Sequence, residues 1–162
     1  ISMKNKNKKT QIVSENADYH VSLKVALKDK NGRILLLRAA ETSQLRGFYD
    51  LPGGRIKETE RHARLLSILI RELKEEVGSK VRFKVRETPI AVGRHEYWSK
   101  KFNKQQYLFW VLFEAEYKGG AITISSEHAD SLWIKVAPKN LKKYFIKGPL
   151  EIMKNYKTGK LS

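Results

Sequence analysis

The sequence predicts a mixed α/β (α+β) fold in a single domain, with strands on both sides of one amphipathic helix. Its 162 residues are enough for one domain with a substantial core and too few for two. Strand-like segments rich in branched and aromatic residues precede and follow a helical pattern at about 61–77. Because no internal repeat or linker interrupts the chain, we place the single domain at 18–160.

The first part of the predicted sheet consists of two strands joined by a tight turn. Residues 20–27 alternate well enough for a strand, and the Asp-Lys-Asn-Gly segment at 29–32 is typical of a hairpin turn. Residues 33–38 contain four consecutive aliphatic side chains, which indicates a buried returning strand. A loop at 42–47 follows, and residues 48–51 lead into a pair of glycines.

The second part of the predicted sheet follows the helix. Residues 81–86 alternate as a half-exposed strand, 106–117 form a long aromatic-rich strand, and 132–134 form a short one. Pro138 is expected to open a helical turn, since proline is tolerated in the first turn of a helix. A last helix is predicted at 149–157.

The central helix carries carboxylates and apolar side chains on neighbouring faces. At about 100° per residue, Glu72, Glu75 and Glu76 fall within roughly a 100° arc. A separate arc is apolar and is predicted to be the core face: Leu66, Leu69, Ile70, Leu73 and Val77. Three like charges this close repel, so the spacing favours a cation above them. Hard divalent cations prefer oxygen ligands, and Mg²⁺ often combines carboxylates with substrate phosphates.

A solvated acidic helix face is the alternative interpretation of these carboxylates. In that case Arg71 and Lys74 would offset the repulsion through local ion pairs. The glycine pair at 53–54, Glu60 and the helix-terminating Gly78 accompany the carboxylates, and this combination favours a metal-dependent phosphate site.

These residues together resemble the Nudix hydrolase signature, Gly-x5-Glu-x7-Arg-Glu-U-x-Glu-Glu-x-Gly-U, in which U is a bulky aliphatic residue. The matching box extends from Gly54 to Ser79. Gly54 fits the first position, Glu60 fits the first glutamate, and residues 71–78 fit the second half. The preceding Leu-Pro-Gly-Gly at 51–54 is also similar to the approach to this box in the family.

The sequence departs from the signature at two places. Ten residues separate Glu60 from Arg71 where the pattern has seven, so we place a three-residue insertion at about 61–64. Extra residues are best tolerated there, just before or at the start of the helix. The last aliphatic position is occupied by Ser79.

The resemblance implies a Nudix-type α/β/α sandwich, in which a mixed β-sheet lies between helices. It also implies Mg²⁺-dependent hydrolysis of a nucleoside diphosphate linked to another group, with Mn²⁺ as an alternative cation. The expected substrate is a nucleotide-type phosphorylated small molecule: a nucleoside triphosphate, a nucleotide sugar or a dinucleoside polyphosphate.

The resemblance further implies roles for individual residues. Glu72, Glu75 and Glu76 match the metal-ligand positions of the family, and Glu75 and Glu76 are also candidate catalytic residues. The carbonyl group of Gly53 matches a backbone ligand, since a glycine turn allows the backbone to approach a metal closely.

Two further roles concern orientation and proton transfer. Arg71 is predicted to pair with a carboxylate such as Glu60 and so to orient the helix against the loop. Glu127, in the loop before the strand at 132–134, resembles a downstream glutamate that many family members use as a ligand or general base. An ordinary surface glutamate is the alternative, and Glu75 is then the next candidate for the base.

Substrate contacts are predicted from charge and from aromatic rings. Arg55 follows the glycine turn and could contact phosphates. Tyr97 and Trp98 could stack against a nucleobase. His95 and His128 are either phosphate contacts or structural residues.

The net charge is +16, from 33 basic and 17 acidic residues. A strongly basic protein attracts polyanions such as nucleotides, polyphosphates and RNA, although solubility is an alternative explanation. Two alternative functions therefore stay open: hydrolysis at the 5′ end of RNA, and a non-catalytic Nudix-fold module that binds a nucleotide or nucleic acid.

Residues 1–17 are predicted to form a disordered basic leader, in which the two residues before Met3 are interpreted as a cloning remnant. The absence of cysteine excludes disulfides and thiol catalysis and suits a cytoplasmic enzyme. The sequence contains no run of about 18 apolar residues, so no membrane span is predicted. A homodimer is compatible with the sequence.

Overall fold

An eight-stranded mixed sheet forms the centre of the computed structural model, which describes residues 15–161. The strands are β1 His20–Lys28, β2 Ile34–Ala39, β3 Tyr49–Asp50, β4 Gly53–Arg55, β5 Arg82–Val85, β6 Ala91–Ser99, β7 Lys104–Gly119 and β8 His128–Ile134. The helices are α1 Leu65–Val77, α2 Leu141–Tyr144 and α3 Lys147–Thr158, with 3-10 turns at Glu58–Glu60 and Pro138–Asn140. Residues 1–14 of the predicted leader lie outside the described residues.

The strands are arranged around a parallel pair at the centre of the sheet. β1 runs parallel to β7, and its other edge pairs antiparallel with β2 at one end and with β4 at the other. β2 also pairs with β3 and β8, while β7 pairs with β6 along its first half and with β5 along its second. This topology brings the glycines of β4 against the middle of β1.

Two apolar cores lie on opposite faces of the sheet, because side chains alternate between the faces along each strand. Val25 and Phe113 pack with α1 on one face. Ala26 and Leu112 pack with α2 and α3 on the other face, around Phe145. The predicted α/β/α sandwich with a mixed sheet is therefore confirmed. None of the helices within 15–161 is long and apolar enough to cross a membrane.

The helix begins later than predicted. α1 starts at Leu65 and not at residue 61, because Arg64 has an extended backbone with φ −64° and ψ 132°. Residues 61–64 instead form the loop between the first 3-10 turn and α1, which is the place where we put the insertion.

The buried face of α1 also differs from the prediction. Glu72 and Glu76 are only 7% and 9% exposed, so two of the three helix carboxylates belong to the buried face. They share the buried face with Ile68, whereas Leu66 and Ile70 are only half-buried. The reason is that the backbone of the glycine turn covers these carboxylates. The helix therefore packs through them as well as through its apolar side chains.

Sequence analysis missed the strand β6. Its residues mix charged, aromatic and small side chains without an apolar alternation, so the period-2 pattern is absent. Pairing with β7 along its whole length, from Ala91 with Leu112 to Ser99 with Lys104, stabilises it as a strand. β6 matters for the site because it carries His95, Tyr97 and Trp98.

Candidate active site

The glycine turn of β4 lies between β1 and α1 without room for side chains. Gly53 has φ +132°, and a Cβ added there would lie 2.0 Å from the carbonyl oxygen of Leu23. A Cβ added to Gly54 would lie 2.2 Å from Oε2 of Glu72. Glycine is therefore required at Gly53 for the turn to approach β1, and at Gly54 for the Glu72 carboxylate to keep its position.

Glu76 connects α1 to two other segments. The backbone N–H of Gly53 donates to its Oε2 over 2.6 Å. Nε2 of His128, at the start of β8, lies 3.1 Å from its Oε1. His128 therefore contacts a carboxylate in this structure, and its Nδ1 is buried with no hydrogen-bond partner among the described residues.

Arg71 binds three carboxylates at once. Its Nε and Nη2 donate to the two oxygens of Glu60, the Nη2 bond being 2.9 Å long. Its Nη2 also lies 2.7 Å from Glu72, and its Nη1 donates to Glu75 over 2.9 Å. Glu60 accepts a further bond from the backbone N–H of Lys57, 2.9 Å long. The extra loop residues thus leave Glu60 within reach of Arg71.

The electrostatic environments of Glu60 and Glu72 are opposite. Hydrogen bonds from the Arg71 guanidinium hold the pKa of Glu60 below its usual range. Burial raises the pKa of Glu72, and the neighbouring charges of Glu75 and Glu76 raise it further, against the effect of Arg71. The cluster therefore holds more negative charge than Arg71 neutralises.

Across residues 15–161, no three His, Cys, Asp or Glu side chains converge as ligands of a metal ion would. The carboxylate oxygens are directed instead at Arg71, at the N–H of Gly53 and at His128. Their donor chemistry nevertheless fits a hard divalent cation, because the cluster offers carboxylate oxygens beside a glycine backbone and carries uncompensated negative charge.

A cavity of about 1070 Å³ opens over the carboxylates. The predicted metal ligands, the candidate general base and the predicted substrate contacts all line it: Gly53, Arg55, Glu72, Glu75, Glu76, Tyr97, Trp98 and Glu127. Two predicted residues, Glu60 and Arg71, are not part of its lining; Arg71 contacts Glu72 and Glu75 from outside the cavity, and Glu60 contacts Arg71.

Arg55 contacts one of the two aromatic residues that line the cavity. Nη1 of Arg55 donates to the hydroxyl of Tyr97 over 3.1 Å, and its guanidinium lies 6.0 Å from the Tyr97 ring centroid. Trp98 is 49% exposed, and its carbonyl accepts a bond of 2.9 Å from Gln44. A guanidinium, a tyrosine ring and an exposed tryptophan are thus part of the same cavity lining.

Glu127 is also part of the cavity lining, as is its neighbour His128. Its backbone N–H donates to Oγ of Ser125, but its exposed side chain makes no hydrogen bond or ion pair within residues 15–161. Glu75, in contrast, is paired with Arg71 and lies 3.9 Å from the ammonium group of Lys57.

Sequence analysis missed an ion pair between two residues of the cavity lining, Lys24 and Asp50. Nζ of Lys24 lies 2.7 Å from Asp50 and 4.8 Å from the ring centroid of Trp110. The neighbouring His95 has a pKa lowered by burial. The available signal was a lysine between Leu23 and Val25, since a charged residue inside an apolar strand requires a buried partner.

The NUDIX domain model matches residues 18–154, and a search of curated protein sequences finds no match. Among solved structures, the MutT protein from Methanosarcina mazei Go1 has a TM-score of 0.59 at 21% identity, covering 90% of this chain and 95% of that chain.

Two further solved structures have the same fold. An ADP-ribose pyrophosphatase from Streptococcus suis has a TM-score of 0.52 at 20% identity, covering 85% of this chain and 84% of that one. The NUDIX domain of Shewanella oneidensis NrtR, complexed with ADP ribose, has a TM-score of 0.59 at 14% identity, covering 89% and 88%. Because the domain model covers most of its length, the chain belongs to the NUDIX domain family.

Proposed function

We propose that this protein is a Mg²⁺-dependent pyrophosphohydrolase that cleaves a nucleoside diphosphate linked to another group. The observation that supports this proposal is one cavity that combines a carboxylate cluster, an arginine and two aromatic rings. A substrate with phosphates at the carboxylates and a nucleoside at the rings matches this arrangement. The ADP ribose bound to the NrtR domain supports a nucleotide-type ligand.

Glu72, Glu75, Glu76 and the carbonyl group of Gly53 would hold the cation, and Mn²⁺ could replace Mg²⁺. When bound, the cation neutralises charge on the phosphate oxygens and lowers the pKa of the attacking water. The raised pKa of Glu72 supports this assignment, because a carboxylate that is buried among other carboxylates is stabilised by added positive charge.

The side chains around the cluster have separate tasks in this proposal. Arg55 orients the phosphate chain, and Tyr97 and Trp98 stack against the base. Arg71 and Glu60 hold α1 against the first 3-10 turn and so position the metal ligands.

Glu127 is the proposed general base. A water oxygen attacks phosphorus, its proton passes to the Glu127 carboxylate, and the anhydride oxygen leaves with the other phosphate. The free carboxylate of Glu127 favours it over Glu75, whose oxygen accepts a hydrogen bond from Arg71.

Glu127→Gln is expected to lower kcat by about 100-fold or more with little change in KM, since general-base catalysis contributes this much. Steady-state rates over a pH series give the measurement, with Glu75→Gln beside it. If Glu75→Gln instead removes the pH dependence and Glu127→Gln leaves kcat intact, then Glu75 is the base.

The substrate class is tested with a panel of nucleoside triphosphates, ADP-ribose, diadenosine polyphosphates and 5′-triphosphorylated RNA. We expect cleavage of at least one compound with Mg²⁺, loss of cleavage with EDTA, and products that identify the broken anhydride bond. If no compound is cleaved with Mg²⁺ or Mn²⁺ although nucleotides bind, the protein is instead a binding module.

Substituting each glycine of the turn separates fold from activity. Gly53→Ala is expected to lower the free energy of unfolding by about 3 kcal/mol, because the new Cβ meets backbone at a positive φ. Gly54→Ala displaces the Glu72 carboxylate and should cost about 10- to 100-fold in activity with a smaller loss of stability. Urea unfolding and steady-state kinetics measure both effects.

Gly47→Ala is the matched control for this pair. Gly47 also has a positive φ, of +83°, but an added Cβ there meets open space. It should therefore lose only the roughly 1–2 kcal/mol that a left-handed backbone costs alanine, without an added clash, and keep full activity. A fully active Gly54→Ala protein would contradict the position assigned to Glu72.

A further inference from the structure

All the exposed aromatic side chains within residues 15–161 lie at one end of the sheet. They are Tyr19, Trp98, Phe102 and Tyr107, each 41–55% exposed, and we call them the aromatic strip. Tyr19 precedes β1, Trp98 and Tyr107 are on β6 and β7, and Phe102 is in the turn between these strands. Large exposed rings that cluster in this way mark an interaction surface.

The geometry of the β6–β7 pair brings three of these rings to one surface. Trp98 is opposite Gln105, so Tyr107 points to the same face two residues, or about 7 Å, further along β7. The ring of Tyr19 packs edge-on against Tyr107, with centroids 6.2 Å apart. Tyr19, Trp98 and Tyr107 line a shared groove of about 660 Å³.

The strip is also positively charged. Lys100, Lys101 and Lys104 are exposed at the hairpin turn, where Glu96, opposite Tyr107, is the acidic residue of the β6–β7 pair nearest the rings. Nζ of Lys101 lies 5.3 Å from the ring centroid of Phe102, so a cation and a stacking surface are adjacent. Aromatic rings that alternate with cations are the arrangement that binds single-stranded nucleic acid.

The strip is continuous with the candidate active site. Gln44, His95, Tyr97 and Trp98 line both the groove and the catalytic cavity. Lys100 lines the catalytic cavity as well. A chain lying along the strip therefore has one end directed at the carboxylate cluster.

We propose that the aromatic strip and its three lysines bind a single-stranded nucleic acid whose terminal phosphates enter the catalytic cavity. This inference rests on the proposed pyrophosphohydrolase function for its last step, but not for the binding. The rings would stack with unpaired bases, and the lysines would contact the phosphates that connect them. A duplex offers no free base faces to the rings and should bind less tightly.

The test is the binding of an oligouridylate of about 12 nucleotides, labelled at its 3′ end, followed by fluorescence anisotropy in EDTA. Phe102→Ala and Tyr107→Ala should each weaken binding by about 5- to 100-fold, as expected for one lost stacking contact. The double variant Lys101→Ala, Lys104→Ala should reduce the slope of log affinity against log salt by about 0.7 per lost phosphate contact.

Matched controls come from residues that line neither the groove nor the catalytic cavity. Leu65→Ala removes an equally exposed apolar side chain from α1, and Lys142→Ala removes an exposed lysine from α2. Both should leave RNA affinity and its salt dependence unchanged. Phe102→Ala and Tyr107→Ala should also hydrolyse a free nucleotide at the wild-type rate.

The outcomes separate this inference from the proposed function. Equal affinity for duplex and single strand, or unchanged binding in both aromatic variants, would contradict the proposed binding of bases by the aromatic strip. General electrostatic attraction would then explain the binding. Absence of RNA binding would contradict that proposal as well. Binding that depends on the rings, in a protein that cleaves none of the panel, would support the strip and contradict the hydrolase function.

Discussion

Replacing Glu76 by glutamine is expected to lower kcat/KM by more than about 100-fold while the protein stays folded. Removing a metal ligand should cost at least as much as removing an outer-shell partner, which costs 10- to 100-fold. The fold should persist because the amide oxygen can still accept the bond from Gly53, and the amide nitrogen can donate to His128. Steady-state kinetics and thermal unfolding of the same preparation give both values.

Glu58→Gln is the matched control for this charge loss. Glu58 is an exposed carboxylate paired with Arg61, outside the cavity. Its substitution should change neither the rate nor the stability appreciably. Wild-type activity in Glu76→Gln would refute the assignment of Glu76 as a metal ligand.

Arg71→Ala is expected to lower stability and activity together. The substitution removes the cation shared by Glu60, Glu72 and Glu75, and it leaves the buried Glu72 carboxylate among like charges. Because Arg71 is 25% exposed, we expect a loss near the lower end for broken buried pairs, about 3 kcal/mol. Urea unfolding in EDTA, with activity measured in Mg²⁺, is the appropriate experiment.

The control for Arg71→Ala is Arg61→Ala, which breaks only an exposed pair with Glu58 and should cost less than about 1 kcal/mol. Arg71→Lys should be intermediate, since lysine keeps the charge but loses the two-pronged contact with Glu60. An Arg71→Ala protein that is fully stable but inactive would instead indicate direct participation in the chemistry.

The elements with strong hydrophobic periodicity could be predicted from the sequence alone. β1, β2, β7 and the body of α1 have clear apolar patterns, and the structure contains them. β6 could not be predicted in this way, because its pairing with β7 and not its own pattern makes it a strand. The start of α1 cannot be located from the sequence, because Arg64 and the residues before it carry no capping signal.

The candidate site likewise has features that the sequence predicts and features that it does not. The glycine turn, the helix carboxylates and Arg71 are close in sequence, so their spacing was informative. The burial of Glu72 and Glu76 depends on how the glycine turn packs on α1. Hydrophobic periodicity does not predict this contact, because it assigns charged residues to the solvent-exposed face. The contact of Lys24 with Asp50 joins residues far apart in the sequence, and only the folded sheet brings them together.

Mn²⁺ binding to the metal-depleted protein, measured by electron paramagnetic resonance beside the Glu76→Gln and Glu58→Gln variants, tests the central claim most directly. The claim is that the carboxylates of α1 hold the cation that hydrolysis requires. We predict that the wild-type protein and Glu58→Gln bind Mn²⁺ equally and that Glu76→Gln binds it at least about tenfold more weakly. Equal Mn²⁺ affinity in all three proteins would contradict it.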